Sequence, residues 1–207
     1  MIKLNVILDL DNTIINTVGL DTDSNLVNKF EYVIYQVNTF ERALIFKRPH
    51  LDEFLDWLFE NCNVSVFTHA DKDYAMYVVD NFICKGKTNR KLDFIFYRYH
   101  VELGLELYKG YKDLRLLWND FKIFDFYPVN TVIIDDNLLV KKTNQYNCIS
   151  INPFNVSTDS INDNHLLKVK REIERLTIKY NQLINSGVEY NHMKPILYGD
   201  DKVDEVY

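Results

Sequence analysis

The chain has 207 residues, 47% of them hydrophobic, which is enough for one substantial core with at most a small appendage. Its formal net charge of −6 would repel a polyphosphate backbone unless Lys and Arg gather on one face, so nucleic acid is a poor first partner. Three scattered cysteines, Cys62, Cys84 and Cys148, offer neither a disulfide framework nor zinc spacing and fit buried thiols in a reducing compartment. No apolar run approaches a membrane span, and the apolar segment from Ile2 to Leu8 is cut short by Asp9 and Asp11, unlike a signal peptide. A soluble, intracellular protein is expected, with no membrane contact.

Ile2 to Leu8 is rich in branched apolar residues and stops at an acidic turn, the pattern of a buried strand that ends at a site. Asn12 to Asn28 is polar. Glu31–Val37 and Arg42–Lys47 are β-rich and flank Asn38-Thr39, which predicts a hairpin flap within residues 12–47. Pro49 and the segment His50–Phe59 predict a helix with proline in its first turn and early acids. Asn63–Phe67 reads as a strand that ends in Thr68-His69-Ala70, after which Asp71 caps a helix carrying Tyr74 to Phe82. Leu92–Tyr97 reads as a strand and Lys112–Phe121 as a helix. Thr131–Ile134 is a further strand running into Asp135-Asp136-Asn137, Cys148–Ile151 a last one, and Ser160–Asn185 a long amphipathic helix. Residues 187–207 read as an acidic, loosely ordered tail beyond a domain of residues 1–186. The alternation predicts an α/β fold with a doubly wound parallel sheet, a small flap and no large cap. In such a sheet ligands bind at the carboxyl ends of strands, where Asp9, Thr68 and Asp136 would sit.

Asp9-Leu10-Asp11-Asn12-Thr13 puts two carboxylates two residues apart, on one side if strand geometry persists. Like charges that close call for a cation, most simply Mg²⁺, which takes oxygen ligands and can grip a phosphate. A lone Asp-x-Asp is otherwise a solvated turn. A calcium loop is excluded because Ile14 stands where the tight turn needs glycine. Asp135-Asp136 can lie beside Asp9 in a parallel sheet. Thr68 suits a phosphoryl oxygen, although such a residue alone more often simply precedes a helix. Lys112 can offset carboxylate and phosphate charge, and Lys109 competes for that role.

The order Asp9-x-Asp11-x-Thr13, Thr68, a lysine and Asp135-Asp136 resembles the four motifs of the haloacid dehalogenase (HAD) superfamily, a Rossmann-like fold. A closer resemblance is to the small, NLI-interacting-factor-like phosphatases of the RNA polymerase II carboxy-terminal domain (CTD). Lys47-Arg48-Pro49-His50-Leu51-Asp52-Glu53-Phe54-Leu55 is similar to that family's helix opening, Val66–Ala75 to its second motif and Tyr111–Leu114 to its lysine segment. Asn152-Pro153-Phe154 and Asp163–Leu167 are similar to its closing strand, loop and helix, so the resemblance runs from Ile2 to Leu176.

The resemblance implies Asp9 as nucleophile, Asp11 as general acid and then base, and Thr68 and Lys112 as holders of the phosphoryl oxygens. Mg²⁺ would be held by Asp9, Asp136 and the Asp11 backbone carbonyl, with Asp135 in support. Thr13, Arg48, His69 and Tyr74 are implied as substrate-binding. His69 and Ala70 depart from the family, which usually shows a small residue and then Ser after the threonine. The expected activity is Mg²⁺-dependent hydrolysis of phosphoserine or phosphothreonine in a protein segment through an aspartyl-phosphate, on a phosphoprotein that includes polymerase-tail-like peptides. The alternatives are a phosphatase for a small metabolite or a nucleic-acid end, and a catalytically weak scaffold of the same fold. A polymerase substrate would imply the nucleus, yet no strong basic localisation cluster appears and the cytoplasm stays open. Scarce Gly and Pro beside abundant Asn, Lys, Ile and Tyr hint at an AT-rich genome, viral or parasitic. Neither oligomeric state nor physiological substrate is legible.

Overall fold

The apolar runs that stop at acidic turns form one parallel sheet. A computed structural model describes residues 3–187 and 193–199. Strands β1 (Asn5–Leu8), β5 (Asn63–Phe67), β6 (Leu92–Phe96), β7 (Thr131–Asp135) and β8 (Cys148–Ser150) lie in the order β6-β5-β1-β7-β8, all parallel. In the central strand, Val6 and Leu8 point into one apolar layer and Ile7 into the other, as the two-residue period requires. The first layer is completed by α2 (Leu51–Asn61), α3 (Lys72–Val78) and α6 (His165–Asn185); the second holds Val101 of α4 (Arg98–Tyr108), Leu116, Leu117 and Val140 of α5 (Leu138–Thr143). Both sheet faces are covered, so the doubly wound α/β fold is as expected.

The expected hairpin is present as β3 (Tyr32–Gln36) and β4 (Arg42–Lys47), but it is part of a three-stranded antiparallel sheet. The added strand, β2 (Ile15–Gly19), pairs with β4 and was hidden because Asn16 and Thr17 made the segment look like a polar loop. A four-residue helix, α1 (Ser24–Val27), lies between β2 and β3. The flap is seated by Leu44, Phe46 and Phe154, with Phe30 edge-on to Phe46.

Other boundaries differ from the sequence reading for local reasons. α2 begins at Leu51, after a left-handed His50, so Pro49 precedes the helix while Asp52 and Glu53 do occupy its first turn. Asp71 stands at the start of α3 but its side chain pairs with Arg98 at 2.9 Å and caps no amide. No helix starts at Lys112, whose φ of 48° makes it a left-handed turn residue; only Leu116–Asp120 coils, as a π-helical turn. α4 was missed because Val101, Leu103, Leu105 and Leu107 alternate like a strand, whereas the helix buries Val101 and Gly104 at a spacing of three. Arg98 and His100 lie in the first turn of this helix. α6 begins at His165, after the short 3₁₀ turn Asp159–Asn162, because the Asp163 carboxylate accepts the His165 amide at 3.0 Å. Residues 193–199 of the expected tail are not loose: Ile196 and Leu197 are buried and donate their amides to Pro128 and Tyr146. The rest of that tail, 188–192 and 200–207, lies outside the described residues.

Arg48 ties the flap to the sheet. It is fully buried; Nε and Nη2 grip the two Asp163 oxygens at 3.0 and 2.8 Å, Nη1 donates to Thr13 O and Nη2 to Asn152 O. Burial would raise the Asp163 pKa, but Arg48 and His165 outweigh it and hold it below the ordinary 3.8. Asp163→Asn leaves a buried guanidinium without its counter-charge and should cost about 2–4 kcal/mol in urea unfolding. Since the folded pKa is depressed, that difference should be constant at neutral pH and shrink only as pH falls below about 4.

Candidate active site

The carboxyl ends of β1, β5 and β7 meet at a cavity of about 380 Å³ lined by Asp9, Asp11, Thr68, His69, Lys112 and Asp136. Asp9 follows β1 directly, and its amide is bonded to Ile134 O across the sheet at 3.0 Å. The Leu10 carbonyl accepts the amides of Thr13, Ile14 and Ile15, folding the loop back tightly; Asn12 takes the left-handed φ of 60° that asparagine tolerates. This loop brings Thr13 beneath both acidic segments. Its hydroxyl lies 3.3 Å from Asp9 Oδ2 and 3.1 Å from Asp136 Oδ1, and it accepts the Asp136 amide.

Lys112 is the cation of the site. Its Nζ sits 2.5 Å from Asp9 Oδ1 and 2.7 Å from Asp135 Oδ2, and the residue is 2% exposed. Burial alone would lower its pKa, but the two carboxylates outweigh it and keep the lysine charged. Asn144 fixes the turn by donating to Lys112 O at 3.1 Å and accepting the Leu114 amide. Lys109 is exposed and, among the described residues, its ammonium reaches only the Glu106 carbonyl, so of the two candidate lysines it is Lys112 that joins the carboxylates. Asp135 is pushed up by burial and the Asp9 charge, with Lys112 opposing; Asp136 is also raised by burial and by Asp9.

Thr68 is buried at the end of β5, its hydroxyl accepting the Ala70 amide at 3.1 Å. Asp11 Oδ1 accepts the Tyr74 hydroxyl at 2.6 Å, and that hydroxyl also meets Thr17 Oγ1 at 2.5 Å. Burial raises the Asp11 pKa; Tyr74 works against this and the Asp9 charge works with it. The geometry gives Tyr74 the Asp11 carboxyl as its polar partner, and Tyr35 of the flap packs edge-on against its ring.

Two expected substrate contacts are corrected. Arg48 is sealed in the core by Asp163, and Thr13 is fully buried under the carboxylates, so both hold up the site without lining it. His69 does line the cavity and is hydrogen-bonded through Nδ1 to the Tyr111 hydroxyl. Thr17 and Tyr111 went unrecognised from sequence. The β-branched run around Ile15 could have revealed the strand that carries Thr17; nothing local signals Tyr111, whose place depends on the left-handed turn at Lys112.

A family model described as NLI interacting factor-like phosphatase matches residues 4–183. The chain belongs to that family. It is 34% identical to the CTD phosphatase-like protein 355R of Invertebrate iridescent virus 6 over 181 residues, covering 83% of this chain and 97% of that protein. The namesake from Invertebrate iridescent virus 3 is 37% identical over 177 residues, covering 82% and 94%. Among solved structures, Fcp1, an essential RNA polymerase II CTD phosphatase, shares the fold with a TM-score of 0.65 at 18% identity, over 93% of this chain and 68% of that one. Fission yeast Fcp1 bound to beryllium fluoride aligns with a TM-score of 0.55 at 19% identity, over 94% and 59%.

In this NLI interacting factor-like phosphatase, Asp9, Asp135 and Asp136 each bring a carboxylate oxygen into a group within 4.8 Å. Three hard oxygen donors with one lysine for counter-charge suit a divalent cation. The Asp11 side chain lies outside this group, engaged with Tyr74. The lysine turn itself rests on Gly110, where a Cβ would lie 2.1 Å from Asp113 Oδ2 and 2.6 Å from Thr143 Cγ2. Gly110→Ala should therefore cost about 1–3 kcal/mol of unfolding free energy, measured by thermal or urea denaturation.

Proposed function

We propose that the protein is a Mg²⁺-dependent phosphatase that removes phosphate from phosphoserine or phosphothreonine in extended protein segments, polymerase-tail-like peptides included. The observation that carries this reading is the charged Lys112, buried between Asp9 and Asp135 in a cavity shared with Thr68 and Asp136. Asp9 is the nucleophile: one of its oxygens attacks phosphorus, the serine or threonine oxygen leaves, and an aspartyl-phosphate results. Lys112 and the Thr68 hydroxyl neutralise and orient the transferring oxygens. Asp11, its pKa raised by burial, donates a proton to the departing alkoxide and then takes one from the water that hydrolyses the acyl phosphate. Tyr74 aims that carboxyl. Asp9 and Asp136, with the Asp11 carbonyl, would hold Mg²⁺, and Asp135 steadies the set through Lys112. When bound, the ion would supply further charge neutralisation for the phosphoryl group.

The family assignment supports phosphatase chemistry, and the names of the viral relatives and of Fcp1 support a CTD-like substrate. The sequence offered no large cap, and the flap found is a short three-stranded sheet; an open site of this kind suits a macromolecular phosphoester better than a small metabolite that needs enclosure. Relatives in two iridescent viruses support a virus-encoded protein. Among the described residues no helix is long and apolar enough to cross a membrane.

Hydrolysis of p-nitrophenyl phosphate with Mg²⁺ should be lost with EDTA and fall roughly 1,000-fold or more in Asp9→Asn. In a rapid-quench comparison, Asp11→Asn should slow formation of the aspartyl-phosphate far more from a phosphoserine peptide than from the aryl ester, whose leaving group needs no proton, while the later hydrolysis slows alike for both. Metal-independent turnover, or equal slowing of aspartyl-phosphate formation from both substrates, would contradict these roles.

A further inference from the structure

We propose that a second groove, bounded by the end of α4, the turn at 109–111 and α5, is an anion subsite for a phosphorylated residue flanking the scissile phosphate of a protein substrate. The proposal rests on the phosphatase reading and names the substrate class more closely. The groove has a volume of about 350 Å³ and is lined by Lys109, Arg115 and Lys142 together with Leu105, Tyr108 and Leu139. It holds three cations and no carboxylate in a chain where acids outnumber bases 30 to 24. A basic pocket in an acidic protein concentrates anions locally.

Its position gives that charge a purpose. Tyr111 lines both this groove and the catalytic cavity, and its hydrogen bond to His69 makes a wall between them. The same two chain segments feed both sites: Lys112 follows the turn that carries Lys109, and Asp136 precedes the helix that carries Lys142. Adjacent cavities of this size have centres on the order of 10 Å apart, a span that an extended peptide covers in about three residues.

The cations differ in how free they are. Arg115 is fixed by Asp113, with Nε at 2.9 Å and Nη2 at 2.6 Å from its oxygens, and stacks over the Tyr108 ring at 4.4 Å. Lys109 is presented by a left-handed φ of 57° at the end of α4; among the described residues neither it nor Lys142 makes an ion pair. Two unpaired ammonium groups fit a phosphate or carboxylate, while half-exposed Leu105 and Leu139 offer apolar contact to the residues between. A polyanionic nucleic acid would have to run on past Asp9, Asp11 and Asp136, whereas a peptide carries its two charges only where the subsites need them.

The test uses the full chain in EDTA, which stops hydrolysis, and fluorescein-labelled ten-residue peptides with one phosphoserine. In two isomers a second phosphoserine stands three residues before or after the first. Anisotropy should show at least one isomer binding roughly five- to tenfold more tightly than the singly phosphorylated peptide, with the gain shrinking at high salt. The gain should vanish in the double variant Lys109→Gln and Lys142→Gln, while p-nitrophenyl phosphate turnover stays at the wild-type level. No gain with either isomer, a gain that survives the double variant, or a 5′-phosphorylated oligonucleotide that matches the gain and displaces the peptide would overturn the proposal. Loss of aryl phosphate turnover in the wild type would instead count against the phosphatase reading, and the binding comparison would still decide the subsite.

Discussion

The ammonium of Lys112, held between Asp9 and Asp135, is the interaction on which the arrangement of the site depends. Three aspartates converge at the ends of β1 and β7, and without a buried counter-charge their repulsion would splay the edge of the sheet. A lysine can reach them from a turn because its stem is long, but the turn must be left-handed at residue 112 and must pass against α5 with no side chain at Gly110. Asn144 and Thr143 of the α5 region hold that turn in place through Lys112 O and the Tyr111 amide. The site is thus the meeting of two strand ends and a tethered turn, and it is built before any phosphate arrives.

A second constraint keeps the flap and the Asp9 loop in register. Arg48 bonds to Thr13 O, Asn152 O and Asp163, so the end of β4, the Asp9 loop and the entry to α6 share one buried guanidinium. From this frame the flap reaches the chemistry through aromatic and hydroxyl contacts: Tyr35 packs on Tyr74, and Thr17 and Tyr74 meet beside Asp11. The segment similar to the family's helix opening therefore carries a clamp, and the polar groups that line the cavity lie elsewhere. His69, in the position where the family usually has a small residue, is spent on Tyr111 and shapes the rim between the two cavities.

Much of the sheet was legible in the sequence. Buried parallel strands are short runs of branched apolar residues, and three of the five lead into polar residues, Asp9, Thr68 and Asp135-Asp136, whose order along the chain already matched a known pattern. The cavity residues Asp9, Asp11, Thr68, Lys112 and Asp136 could be named because each follows such a strand or matches a motif. What could not be read depends on tertiary context. β2 alternates polar residues against a partner strand that arrives later in the chain; α4 carries a strand-like alternation; and the turn at Lys112 is set by its neighbours rather than by local propensity. Arg48 and Thr13 looked like substrate contacts because motif membership does not distinguish a group that touches the substrate from one that braces it. Only burial makes that distinction.

The measurement that bears most directly on the central claim is an acid quench during turnover of a radiolabelled phosphoserine peptide, followed by peptide mapping of the protein. The account predicts label on Asp9, in a base-labile acyl linkage, with none retained by Asp9→Asn. Turnover without covalent label at any time point, or label on another residue, would contradict Asp9 as the group that takes the phosphate.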